Sequence, residues 1–171
     1  MRIFAFFSIA LLFVVGAAGL AGARINTTPS LPLGLYWVQS TKPTKSSVVL
    51  FCPPAQPVFI EAKARGYLAA GLCDVGTQPL MKRIVATAGD QVTIAAEGTA
   101  VNGAWLANSA QVQADPAGRP LPAYRADLTL AAGQVLLMSD RSPLSFDGRY
   151  FGPVSERTLQ GVVVPVWTFS R

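Results

Sequence analysis

The chain opens on an apolar run. Ile3 to Ala23 carries no charge and is bounded by Arg2 and Arg24. Its 21 residues suffice to cross a bilayer as a helix. Ala21-Gly22-Ala23 has the small-residue spacing of a signal-peptide cleavage site, but the run is longer than the usual apolar core of a signal peptide. The expectation is a retained N-terminal transmembrane helix over residues 1–24, followed by an exported domain over residues 25–171. Beyond Arg24 the pattern changes to short apolar or alternating runs broken by Gly and Pro. Gly34–Val38, Ser47–Phe51, Leu80–Val85, Gln91–Ile94, Leu128–Leu130, Gln134–Met138 and Gly161–Trp167 read as strands. Val101-Asn102-Gly103 reads as a hairpin turn. Val58–Leu68, started by Pro57 and weakened by Gly66, is the one short helix expected. Asn108–Tyr124 reads as an exposed loop, and Ser139–Arg149 as a polar turn. Many short strands with one helix predict a mainly β, barrel-like domain.

One strand carries an anomaly. Lys82 lies inside the apolar run Leu80–Ala86 rather than at its end. A strand lysine ordinarily faces solvent. Burial would instead disfavour the ammonium and bring its pKa down toward the range in which a general base works.

Composition narrows the chemistry. There is no histidine among the 171 residues, which removes Ser-His-Asp and Cys-His mechanisms and histidine-ligated metals. Two cysteines cannot make a four-thiolate zinc site. Nine acidic residues leave little room for paired carboxylates, so hydrolytic chemistry would rest on a hydroxyl–lysine pair. The net charge of +5 is dispersed, with no run of the kind that binds nucleic acid, and it suits a surface near anionic lipid. Cys52 and Cys73 in an exported domain suggest a disulfide, the alternative being two buried thiols. No cofactor or metal is implied.

The matching hydroxyl is Ser30, in Thr28-Pro29-Ser30-Leu31-Pro32, where prolines on both sides restrict the backbone. A nucleophilic serine needs such preset geometry and a base within reach.

Together these stretches resemble the boxes of type I signal peptidases. Thr28–Pro32 is similar to the nucleophile box, Lys82-Arg83-Ile84-Val85-Ala86-Thr87-Ala88-Gly89-Asp90 to the lysine box, and Ser145-Phe146-Asp147-Gly148-Arg149-Tyr150-Phe151-Gly152 to the final box. Within that group Thr28–Trp37, Phe51–Pro54 and Gly76–Leu80 resemble the TraF-type conjugative transfer peptidases, which mature a pilin precursor and in some members join its ends. Thr28 stands where serine is common, and Gly148 where serine is usual.

The resemblance implies a signal-peptidase-like β-barrel at the outer face of the inner membrane. Ser30 would be nucleophile and Lys82 general base; the Ser30 N–H and Thr28 hydroxyl would form the oxyanion hole. Ser145 would orient the Lys82 amine, and an Asp147–Arg149 pair would stiffen the loop carrying Ser145. The implied partners are the membrane and a pilin-like precursor with small residues before the cut, not nucleic acid. Two other readings stand beside it. A self-cleaving repressor-type protease would require a DNA-binding helix-turn-helix in place of the apolar segment. A non-catalytic β-rich envelope or pilus component would leave Lys82 and the ordered boxes unexplained.

Overall fold

The computed structural model describes residues 2–169, without the side chains of residues 2–7 and 9–11. Helix α1 spans Arg2–Leu20. Among the described residues no helix is long and apolar enough to cross a membrane. The expected transmembrane helix is therefore not supported here, and most of the side chains in its first half lie outside the described residues. The helix also ends sooner than the apolar run. Ala23 has already entered strand β1 (Ala23–Asn26), because Arg24 Nη1 caps the helix at the Gly19 carbonyl, 2.7 Å away.

The rest is mainly β, as the turn-punctuated pattern predicts. Strands β2 (Leu33–Gln39) and β3 (Val48–Phe51) precede helix α2 (Pro57–Ala64). Then follow β4 (Leu80–Ala86), β5 (Gln91–Ile94), β6 (Thr99–Val101), β7 (Ala104–Trp105), β8 (Ala126–Thr129) and β9 (Gln134–Met138). A one-turn helix α3 (Gly148–Phe151), β10 (Val154–Ser155) and the long β11 (Leu159–Phe169) complete the order. Helix α2 stops at Ala64, short of the expected Leu68, because Gly66 takes φ +81°.

Seven strands form one sheet in the order β1-β2-β11-β3-β4-β9-β10, and four form a second in the order β7-β6-β5-β8. Among the described residues no ladder joins β10 back to β1, so the expected barrel is an open-edged sheet. Asn102 and Gly103 both have positive φ and close a two-residue turn between β6 and β7.

β4 lies between β3 and β9, with Lys82 opposite Val49 and Arg83 opposite Met138. Lys82, Ile84 and Ala86 share the buried face of this strand, so the lysine faces inward. Below it Phe51, Phe59 and Phe151 pack with Ile84, Leu137 and Val162 into the principal core. A second cluster built on Val92, Ile94, Leu136 and Met138 ties the smaller sheet to β9. Gly34 shows how tightly β2 meets β11: a Cβ there would stand 2.1 Å from the Trp167 carbonyl oxygen.

Candidate active site

The nucleophile loop is a tight connection between β1 and β2, which pair in register from Ala23–Trp37 to Asn26–Gly34. Thr27 to Pro32 must turn within that pairing, and the side chain of Asn26 fills the centre of the turn. Its Nδ2 lies 3.0 Å from each of the Thr28, Leu31 and Pro32 carbonyl oxygens. Its Oδ1 accepts from the Thr28 N–H at 3.2 Å and from the Thr28 hydroxyl at 2.9 Å. Thr28 Oγ1 is in turn 3.0 Å from Ser30 Oγ. From the opposite side Ser139 Oγ donates to the Ser30 carbonyl at 2.7 Å, joining this loop to the end of β9. Ser30 is thus fixed through both its side chain and its backbone, and is largely buried.

Lys82 Nζ donates to Ser145 Oγ at 2.8 Å. Burial is the main influence on the amine and brings its pKa down from 10.5 to about 8, the Asp147 carboxylate pulling it up and the Arg149 guanidinium pushing it down. At this pKa about a tenth of the amine is neutral at pH 7, far more than for an ordinary lysine, which brings it within reach of general-base work. Among the described residues Ser30 Oγ bonds to Thr28 rather than to Lys82, while both side chains line the same cleft. Catalytic hydrogen bonds are often unformed without substrate.

The Ser139–Arg149 segment owes its rigidity to a buried ion pair. Asp147 and Arg149 are both fully buried, with Arg149 Nε 2.8 Å from Asp147 Oδ1 and Nη2 3.0 Å from Oδ2. Asp147 also accepts from the Ser139 N–H at 3.0 Å and caps α3 through the Arg149 N–H. The Nη1 donors reach the carbonyls of Pro143 at 2.9 Å and Ala110 at 3.2 Å, and Nη2 also approaches those of Ser139 and Ser142 at 3.4 Å. Every charge in the pair is compensated, the condition under which such burial is tolerated.

The cleft has a volume of about 530 Å³. Its floor carries Ser30, Lys82 and Ser145, and its walls are largely apolar, among them Leu68, Met81, Val112, Leu121 and Phe146. One wall, residues 66–69 and 78–79, is braced by the Cys52–Cys73 disulfide. The other comes from the segment 112–121, clipped to the first by the Tyr67 hydroxyl donating to Asp115 Oδ2 at 2.5 Å and by Arg119 over the Tyr67 ring.

Residues 1–168 match the family described as signal peptidase, peptidase S26. The chain belongs to that family. It is 51% identical over 161 residues to the plasmid transfer protein TraF of Escherichia coli, spanning 94% of this chain and 91% of that protein. The probable conjugal transfer protein TraF of Sinorhizobium fredii is 38% identical over 160 residues, covering 91% and 82% of the two chains. A crystal structure of a signal peptidase I from Enterococcus faecalis aligns with a TM-score of 0.41 and 20% identity, over 72% of this chain and 98% of that one.

Of the residues expected from the family boxes, Ser30, Thr28, Lys82 and Ser145 all line the cleft. Asp147 and Arg149 lie fully buried behind them. The polar turn 139–149 directs Ser139, Ser142, Ser145, Asp147 and Arg149 inward, while Asp140, Arg141, Pro143 and Leu144 stay exposed. Asn108–Tyr124 is not a plain exposed loop. Val112 N–H donates to the Tyr150 hydroxyl at 3.0 Å and Gln111 Nε2 to the Arg149 carbonyl at 2.7 Å, which dock it against the final box. Gly148 is explained by packing, since a Cβ there would stand 2.8 Å from the Leu137 carbonyl oxygen. Asn26 and Ser139 escaped the sequence reading. Asn26 had a legible signal, because an Asn two residues before Thr28 can form an Asx-turn. Ser139 had none, since its partner lies 109 residues away.

Proposed function

We propose that the chain is a membrane-bound serine endopeptidase that processes exported precursors in plasmid transfer, with Ser30 as nucleophile and Lys82 as general base. The observation that carries this reading is a lysine with a pKa near 8, buried and held by Ser145 in the cleft that contains Ser30. The family membership and the relatives named for plasmid and conjugal transfer support the peptidase class and the setting.

In this mechanism the Ser30 hydroxyl turns from Thr28 toward neutral Lys82, which takes its proton as Ser30 Oγ attacks the scissile carbonyl. The oxyanion is received by the Ser30 N–H and by the Thr28 hydroxyl once released from Asn26. Collapse breaks the peptide bond, the Lys82 ammonium returns its proton to the leaving amine, and an acyl-enzyme remains. Water resolves it to a carboxylate; attack by the precursor's own amine would instead close a ring.

The apolar segment at the N-terminus supports an anchor in the inner membrane with the domain on the periplasmic side. The disulfide suits an oxidising compartment. Exposed Trp167 and Phe169, their rings tilted against each other with centroids 4.9 Å apart, and exposed Ile25 suit a domain lying against lipid.

The test is processing of a co-expressed pilin precursor by wild type, Ser30→Ala and Lys82→Ala, followed by product mass. Loss of processing in both folded variants supports the reading, and a product one water lighter than the cleaved chain adds cyclisation. A Ser30→Ala protein that still processes the precursor returns the chain to the class of assembly components.

A further inference from the structure

The hydrogen bonds around Asn26 fix more than the shape of a loop. The amide can be oriented in one way only. Three carbonyl oxygens surround one end, at 3.0 Å each, so that end is the NH2 group. The other end meets the Thr28 N–H and hydroxyl and must be the oxygen. An amide oxygen has no proton to give, so Thr28 donates its single hydroxyl proton to Asn26. That proton is then unavailable for the 3.0 Å contact between Thr28 Oγ1 and Ser30 Oγ, and Ser30 must be the donor there.

From this proton count we infer that Asn26 is a positioning residue of the nucleophile. It cages the Thr27–Pro32 turn from within and polarises a relay from Ser30 to Thr28 to Asn26 that parks the serine proton away from Lys82 until substrate arrives. The inference rests on the peptidase reading and adds a residue to it. Asn26 borders the cleft, but its amide nitrogen and oxygen are engaged within the turn, so it acts through Thr28 and through the carbonyls of Leu31 and Pro32, the latter also held by the Tyr36 hydroxyl at 2.8 Å. Its near-complete burial places its effect on the geometry of Ser30 rather than on substrate contact. The signature is therefore a fall in kcat with KM retained.

The experiment measures kcat and KM on a synthetic peptide with Ala-x-Ala before the scissile bond, for wild type, Asn26→Ala, Thr28→Val, the double variant, Thr28→Ser, Ser30→Ala and Lys82→Ala. Asn26→Ala is expected to lose roughly 10- to 100-fold in kcat with KM unchanged, the scale set by small misplacements of a reacting group. In the Thr28→Val background the same change should cost clearly less, because residues acting as a unit are not additive. Thr28→Ser, which keeps the hydroxyl, should retain most activity. Cleavage that depends on Ser30 and Lys82 while Asn26→Ala keeps wild-type kcat, or adds fully to Thr28→Val, overturns the role of Asn26 and leaves the peptidase reading intact. Cleavage that survives Ser30→Ala overturns both. Should Asn26→Ala not fold, neutron diffraction on unliganded wild type decides. Deuterons on Thr28 Oγ1 directed at Asn26 and on Ser30 Oγ directed at Thr28 support the relay; a Ser30 deuteron directed at Lys82 contradicts it.

Discussion

Lys82 Nζ and Ser145 Oγ stand 2.8 Å apart, with 5% of the lysine and 6% of the serine exposed. A lysine so deep in a strand is a cost to the fold, and the direction of its pKa says how large. The folded pKa of about 8 lies below the unfolded 10.5. Between those values the unfolded chain binds the proton and the folded chain does not, so stability rises as pH climbs from about 8 to 10.5. Below about 8 both states are protonated and the cost is constant, about 3 kcal/mol. Lys82→Met should therefore be more stable than wild type near neutral pH, by up to about 3 kcal/mol, and should lose the upward slope above pH 8. Urea denaturation of both proteins across pH checks this. Equal stability at every pH would mean that the lysine is solvated.

Ser145→Ala leaves the amine without its side-chain partner and frees its rotamers. The expectation is a kcat lower by roughly 10- to 100-fold with little change in KM, since an orienting contact acts on the placement of the base. Steady-state kinetics on the Ala-x-Ala peptide separate the two parameters.

Asp147 and Arg149 form a pair in which each needs the other. Arg149→Met strands a fully buried carboxylate and should cost about 3–5 kcal/mol, whereas replacing both partners with apolar residues of similar volume should restore much of the loss. Denaturant midpoints of the single and double variants measure the difference.

The Cys52–Cys73 bridge closes a loop with a sequence separation of 21 and contributes about 3 kcal/mol. It also braces residues 66–79, one wall of the cleft. The double Cys→Ala variant should melt earlier and show a higher KM, because the loosened wall is a binding surface rather than part of the machinery at Ser30. Thermal melts and kinetics in the same buffer test both parts.

Tyr67→Phe removes the hydroxyl that clips the two walls together through Asp115. A loss of about 1.5–3 kcal/mol is expected for a hydrogen bond to a carboxylate. KM for the peptide should rise several-fold with kcat retained.

Much of this site was legible because its parts are local in sequence. Lys82 in an apolar strand, Ser30 between prolines and the box around Ser145 each carry their own signal, and the absence of histidine directs attention to them. The strands were legible for the same reason, being punctuated by turns such as Asn102-Gly103. What stayed hidden depends on distant partners. The Asp147–Arg149 pair was expected, but the inward turn of Ser139 and Arg149 also rests on the Ser30 and Ala110 carbonyls, which the polar run itself does not disclose. The docking of Gln111 and Val112 onto Arg149 and Tyr150 turned an apparent loop into a wall. Strand β1 was masked by the apolar run before it.

The central claim is that Lys82 is the base that activates Ser30. The most direct measurement is the rate of single-turnover cleavage of the Ala-x-Ala peptide against pH, for wild type and Lys82→Ala. The account predicts a rising limb in wild type with a midpoint near 8, the pKa of the buried amine, and a loss of roughly 10²- to 10⁴-fold in Lys82→Ala. A Lys82→Ala protein that remains folded and cleaves at the wild-type rate would contradict it.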